Sequence, residues 1–123
     1  MERLAQLRPF LLCLSGLMGA GGVVLAAAAS HGGDTRLLAS ASAMCLAHAP
    51  VLLGLFLAHR MVATATPAAL ALGLGTIVFA GDLLARQFLG ARLLPLAAPA
   101  GGILMMLGWL LVAAGAFFRA RDM

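Results

Sequence analysis

The sequence predicts an all-α integral membrane protein: a bundle of four transmembrane helices joined by short loops, with both termini in the cytoplasm. Hydrophobic residues make up 63% of the 123 residues and charged residues only 10%, whereas a soluble domain carries about 25% charged residues. Four apolar segments are each about 20 residues long, enough for a helix to span a hydrocarbon core of ~30 Å. We therefore expect one membrane domain over residues 1–123, with helices at 9–30, 37–59, 67–89 and 97–118.

The first apolar segment, residues 9–29, contains no charged residue. Gly19 and Gly22 belong to a stripe of small residues with alternating spacings of four and three, which predicts a face packed closely against another helix. A positive start followed by an apolar run also resembles a secretory signal peptide. This run is longer than the apolar region of about 7–15 residues that such a signal contains, so we interpret it as a membrane span.

The second segment, residues 37–58, is interrupted by His48 and Pro50. Pro50 removes the amide that would bond the Leu46 carbonyl, which predicts a kink and a carbonyl that needs another partner in lipid. We expect His48 to be a buried neutral imidazole bonded to a backbone carbonyl such as this one. His31 lies at the end of the first helix, where a cationic ring would interact favourably with the helix dipole.

The third segment, residues 67–89, carries Asp82 and Arg86 in its second half. An ionised carboxylate inside a bilayer costs at least ~2.5 kcal/mol, so Asp82 needs a partner or a proton. Arg86 follows four residues later, the spacing and order of a favourable helical pair near the outer interface. Alternatively, Asp82 meets His48 across the helices and the two residues relay protons.

The fourth segment, residues 99–118, carries Gly101, Gly108 and Gly115 at seven-residue steps. This spacing predicts that the three glycines line one helix face, where a neighbouring backbone comes close. Trp109 is in the middle of the segment, away from the headgroup region where tryptophan is usual. We expect it to pack against the small stripes of the other helices.

The arginines predict the orientation. If the helices alternate in direction, the side of both termini carries the larger set: Arg3, Arg8, Arg60, Arg119 and Arg121. The opposite side carries the smaller set: Arg36, Arg86 and Arg92. The positive-inside rule then predicts both termini in the cytoplasm. Because the basic residues stand at segment ends rather than in a patch, we expect no nucleic-acid partner.

Catalytic motifs are not recognisable, and we expect neither an enzyme nor a bound cofactor or metal. A haem held by His31 and His48 is disfavoured because the two residues differ in depth by ~16 Å. A copper site built from Met44, Cys45 and His48 is disfavoured because one helix cannot direct all three side chains at one ion.

Four stretches of the chain together resemble a known family. They are AAASHG at 27–32, CLAHAPVLLGLF at 45–56, FAGDLL at 79–84 and APAGGILMMLGWLL at 98–111. In order and spacing they resemble the small bacterial membrane family catalogued as domain of unknown function 423. The resemblance implies a four-helix protein of the cytoplasmic membrane and brings no established activity. It also implies that Asp82 replaces a serine of the family pattern.

Two functions follow as hypotheses. The first is a structural or accessory subunit, held in the lipid bilayer, that packs against a larger membrane complex such as a respiratory complex, or against other copies of itself. The alternative is a permeation protein that handles protons or small solutes and uses His48, Asp82 and Arg86 to line a hydrated interior.

Overall fold

A computed structural model of the chain describes residues 2–31, 33–92 and 94–118. The described residues form the following elements in order: α1 Glu2–Gln6, α2 Arg8–Ala29, α3 Arg36–Leu57, α4 Ala65–Leu89, α5 Ala97–Ala114 and a 3-10 turn Gly115–Phe117. Four of the helices are long and apolar enough to cross a membrane. The predicted all-α fold with four membrane-spanning helices is confirmed. Arg119 and Arg121, which count in the predicted orientation, lie outside the described residues.

The start of α4 differs from the sequence expectation. The helix begins at Ala65 after Thr64, two residues before the predicted start at Pro67. Pro67 is tolerated in the first turn because an amide at that position has no intrahelical acceptor. At the other end, α4 stops at Gly90, whose φ of 72° is the left-handed conformation that glycine adopts without steric cost.

The proline of the second span does not divide it. α3 continues from Arg36 to Leu57 with Pro50 inside the helix, and Pro50 faces outward. Among the residues that precede the proline, Cys45 and Ala49 face inward and belong to the packed interior. The proline is therefore accommodated on the lipid side of α3.

The helices pack in the order in which they occur in the chain. α2 packs mainly on α3, α3 on α4, and α4 on α5. In the most apolar stretch of each helix, 56% of the residues are buried in α4 but only 17% in α5. Hence α3 and α4 form the centre of the bundle, with α2 and α5 on opposite sides of the pair.

The main core is formed where the long helices meet. Leu11 of α2, Leu52 of α3 and Leu72 of α4 are almost completely buried there, together with Met105 of α5. In a bilayer this packing is favoured by dispersion contacts rather than by exclusion of water, because lipid tails are as apolar as leucine.

Glycines allow α5 to approach α4. A Cβ atom on Gly101 would lie 2.7 Å from the Phe79 amide nitrogen and 2.8 Å from the Gly75 carbonyl oxygen. On Gly108 it would lie 2.7 Å from Leu72 Cγ. On Gly115 it would lie 2.7 Å from Oγ1 of Thr64, the residue before α4. The three glycines at seven-residue steps thus face α4 and the residues that lead into it.

The two predicted packing glycines of α2 differ in how close their contacts are. A Cβ atom on Gly22 would lie 2.7 Å from Leu46 Cγ and 3.2 Å from Cys45 Cβ, so a side chain there would require the Leu46 side chain to move. On Gly19 it would lie 3.8 Å from Ala49 Cβ, an ordinary van der Waals contact. Of the two, Gly22 is the position where α2 lies closer to α3.

Candidate functional site

Several polar residues are buried inside the described bundle. Five are nearly inaccessible: Ser15, Ser42, His48, Thr76 and Asp82. In lipid, each such group needs a partner, because no water is present to replace a missing hydrogen bond.

His48 lies on α3 and is only 5% exposed. Its Nδ1 is 2.8 Å from the Met44 carbonyl oxygen, and its Nε2 is 3.1 Å from Nε1 of Trp109. A carbonyl only accepts and an indole N–H only donates, so Nδ1 carries the proton and Nε2 accepts. The environment therefore selects one neutral tautomer of His48 and uses both ring nitrogens.

The expected partner of His48 was of the right kind but the wrong residue. The acceptor is the Met44 carbonyl and not the one that Pro50 leaves free, because a side chain on a helix reaches back to the turn before it. The second partner, Trp109, comes from α5 and was not foreseen.

Trp109 is only partly enclosed by the bundle. The residue is 45% exposed. Its ring lies 5.8 Å from the His48 ring, centroid to centroid, at an interplanar angle of 55°. Since an indole N–H in lipid needs an acceptor, the hydrogen bond to His48 fixes the orientation of Trp109 and connects α5 with α3.

Asp82 and Arg86 form the ion pair that their spacing predicts. Asp82 is completely buried, and its Oδ2 lies 2.9 Å from Nη2 of Arg86. The Arg86 side chain keeps 29% of its surface exposed, so the pair extends from the interior to the edge of α4. Both ring nitrogens of His48 have other partners, the Met44 carbonyl and Trp109.

Two serine hydroxyls join α2 to α3, and sequence reasoning missed both bonds. Ser15 donates to the Ala49 carbonyl at 2.8 Å, and Ser42 donates to the Gly22 carbonyl at 2.8 Å. The signal was available in part, because Ser15 belongs to the small-residue stripe of α2, and hydroxyls in such stripes commonly bond a neighbouring helix.

Two threonines lie where α4 meets α5, and Thr64 joins the two by a hydrogen bond. Thr64, just before α4, donates to the Leu111 carbonyl at 2.6 Å. Thr76 donates to the Leu72 carbonyl of its own helix at 2.7 Å and lies 3.4 Å from the Met105 sulfur of α5. Thr64 does not stand out in the sequence, because its acceptor belongs to a helix distant in the chain.

The loop between α2 and α3 contains the remaining candidate, His31. It is exposed, and its amide donates to the Ala28 carbonyl at the end of α2. Nearby, Arg36 binds the Asp34 carboxylate at 3.0 Å, and Gln87 of α4 donates to the Asp34 carbonyl. The hydrogen bond from Arg36 lowers the pKa of Asp34 below its ordinary value.

Metal ligands do not converge in the part of the chain that the structure describes. No three side chains of histidine, cysteine, aspartate or glutamate come together there. Cys13 is exposed on α2 and Cys45 is buried on α3, and both are free thiols.

Four membrane-spanning helices, with their buried polar groups bonded inside the bundle, define a small multi-pass membrane protein whose outer surface contacts the lipid bilayer. Residues 25–102, more than half of the chain, match the family described as protein of unknown function (DUF423). The chain belongs to this family, and the resemblance found in the sequence is confirmed. Comparisons with curated proteins and with solved structures gave no match.

Proposed function

We propose that this protein is a structural or accessory module of the cytoplasmic membrane, without catalytic activity, that packs against a larger membrane complex or against copies of itself. One observation carries the proposal: all five buried polar residues have a hydrogen bond or an ion pair within the bundle. Three of these residues bond another helix: Ser15, Ser42 and His48. Interhelical hydrogen bonds stabilise membrane bundles by ~0.6 kcal/mol on average. The buried polar groups thus serve assembly.

The permeation alternative has less support. A proton relay needs side chains that exchange partners along a hydrated path. His48 could take up a proton only at Nε2, the atom that accepts from Trp109. Protonation would therefore break the bond between α3 and α5. This coupling favours a role for His48 in holding the helices together.

An outward face of α2 is suited to the proposed packing. Gly16 has open space around it, and Cys13, Ala20 and Ala27 are exposed. Small residues at such spacings let the backbone of another transmembrane helix approach closely. The bundle does not use this face internally, so it is the surface that we assign to a partner helix.

Two matched substitutions test the assignment. Ala20→Leu adds bulk to the proposed face of α2, and Ala113→Leu makes the same change at an exposed position of α5. Tagged variants are extracted from the native membrane in a mild detergent, and the proteins that accompany them are quantified by mass spectrometry. We expect a stoichiometric partner, or a second copy, with the wild type and with Ala113→Leu, but its loss with Ala20→Leu.

A protein that migrates alone, with no partner and no second copy before or after cross-linking in the membrane, would contradict the accessory role. In that case, proton and solute flux through vesicles would be measured with His48→Asn and Asp82→Asn. Loss of flux in both variants would support the permeation alternative.

A further inference from the structure

A small cavity lies at the end of the bundle that carries the N-terminus. It has a volume of about 110 Å³, and its walls come from α1, the start of α2, the end of the α3 region and the first turn of α4. Leu4, Ala63 and Pro67 supply apolar walls, while Arg8, His59 and Thr66 supply polar groups. The cavity far exceeds the about 10–15 Å³ that one water molecule requires, so it has room for a small polyatomic group.

Arg8 gives the cavity its charge. The guanidinium is permanently protonated, and its Nε is buried without a hydrogen-bond partner among the described residues. A buried donor without an acceptor is unfavourable. An anion in the cavity would supply that acceptor.

His59 and the start of α4 add to this preference. His59 Nδ1 lies 3.0 Å from the Phe56 carbonyl and donates to it, which leaves Nε2 for a ligand. Thr66, in the first turn of α4, contributes a hydroxyl at the positive end of the helix dipole. Three different groups thus suit an oxyanion at one small site.

We propose that this cavity binds a phosphate group, supplied either by the headgroup of an anionic phospholipid or by free inorganic phosphate. The planar guanidinium of Arg8 matches phosphate oxygens in geometry and charge. Nε2 of His59 accepts the hydroxyl of a protonated phosphate, or donates to a phosphate oxygen when the ring is an imidazolium. Binding would connect α1, α2 and α4 at this end of the bundle.

The test uses the full-length protein in a neutral detergent, with binding measured by native mass spectrometry and calorimetry. The probes are phosphatidylglycerol, diacylglycerol with the same acyl chains, and inorganic phosphate. We expect phosphatidylglycerol or inorganic phosphate to bind at least tenfold more tightly than diacylglycerol. Preference for phosphatidylglycerol over inorganic phosphate assigns the site to a lipid headgroup, and the reverse preference assigns it to the free ion.

The control separates the cavity from the general positive charge of this end. Arg8→Gln removes the guanidinium from the cavity, whereas Arg60→Gln removes an exposed one that does not line it. We expect about a tenfold or larger loss of affinity in Arg8→Gln, since a hydrogen bond to a charged group is involved. Arg60→Gln should change the affinity less than threefold.

A second variant keeps the test independent of Arg8. Ala63→Leu fills the cavity without changing the charge, and it should weaken binding of the preferred probe at least tenfold. Equal losses in Arg8→Gln and Arg60→Gln, unchanged binding in Ala63→Leu, or no preference for either phosphate probe over diacylglycerol would each overturn the proposal.

Discussion

The two hydrogen-bond partners of His48 determine which of its ring nitrogens carries the proton. The Met44 carbonyl accepts from Nδ1, and Trp109 donates to Nε2. A reversed tautomer would leave two donors facing each other at Nε2 and a lone pair facing a carbonyl at Nδ1. The ring is therefore a connector of fixed polarity between α3 and α5.

This polarity can be measured directly. In nitrogen NMR spectra of the protein in micelles at neutral pH, His48 should show a protonated Nδ1 and an unprotonated Nε2. Trp109→Phe removes the donor to Nε2, so we expect a loss of stability of about 0.5–1.5 kcal/mol and a mixture of tautomers. A wild-type spectrum with the proton on Nε2 would contradict the assignment.

Asp82 is the buried charge whose loss should be most costly. Asp82→Asn leaves the Arg86 guanidinium without its carboxylate, and we expect a destabilisation of about 1–3 kcal/mol, the lower part of the range being favoured by the partial exposure of Arg86. Arg86→Gln combined with Asp82→Asn should cost less than the sum of the two single changes. Thermal unfolding of the four proteins in one detergent measures the difference, and simple additivity would show that the pair is not coupled.

The stability of the protein should depend weakly on pH through Asp34, in the loop before α3. Its folded-state pKa is lowered from 3.8 by the hydrogen bond from Arg36. The contribution of this bond to stability is therefore complete above the unfolded-state pKa and is lost as the pH falls through the folded-state value. Arg36→Gln should raise the pKa of Asp34 back toward 3.8, as a carbon NMR titration of the carboxyl would show. An unchanged pKa would contradict the role of Arg36.

At the scale of elements, the contact between α4 and α5 depends on backbone proximity. Gly75 and Gly101 face each other, and a Cβ on either residue would lie within 2.9 Å of the other helix. The neighbouring Gly102 has nothing within 4 Å of its Cβ position. Adjacent residues of one helix thus differ completely in their tolerance of a side chain.

Alanine at these two positions gives a matched prediction. Gly101→Ala should separate α5 from α4 and destabilise the protein by about 1–3 kcal/mol, because backbone atoms cannot move aside as a flexible side chain can. Gly102→Ala should be neutral or slightly stabilising, since alanine is the better helix former. Unfolding in detergent compares the two, and equal effects would contradict the close approach at Gly101.

The helices could be predicted from the sequence because length and hydropathy alone define a membrane span. The Asp82–Arg86 pair could also be predicted, since both side chains belong to one helix and a spacing of four brings them together. The bond between His48 and Trp109 could not, because the residues are 61 positions apart and meet only through the packing of α3, α4 and α5. The same reason hid the bond from Thr64 to Leu111.

At the scale of the whole molecule, four spans imply that both ends of the chain emerge on the same side of the membrane. The arginine distribution predicts that this side is the cytoplasm. Green fluorescent protein, which does not fluoresce when exported unfolded, should be fluorescent when fused to either terminus. Alkaline phosphatase, which needs the opposite side, should be inactive at both. A different result at the two termini would contradict an even number of spans.

The packing of each helix on the one before it in the chain has a consequence for biosynthesis. When α3 leaves the ribosome, α2 is already in the membrane to receive it, and the same holds for α4 after α3 and α5 after α4. Each long helix after α2 thus finds its main packing partner already in the membrane, and only the smaller contacts, such as the bond from Trp109 to His48, wait for a later helix. The bundle can therefore be completed during translation, one span at a time, with the last span added at its edge.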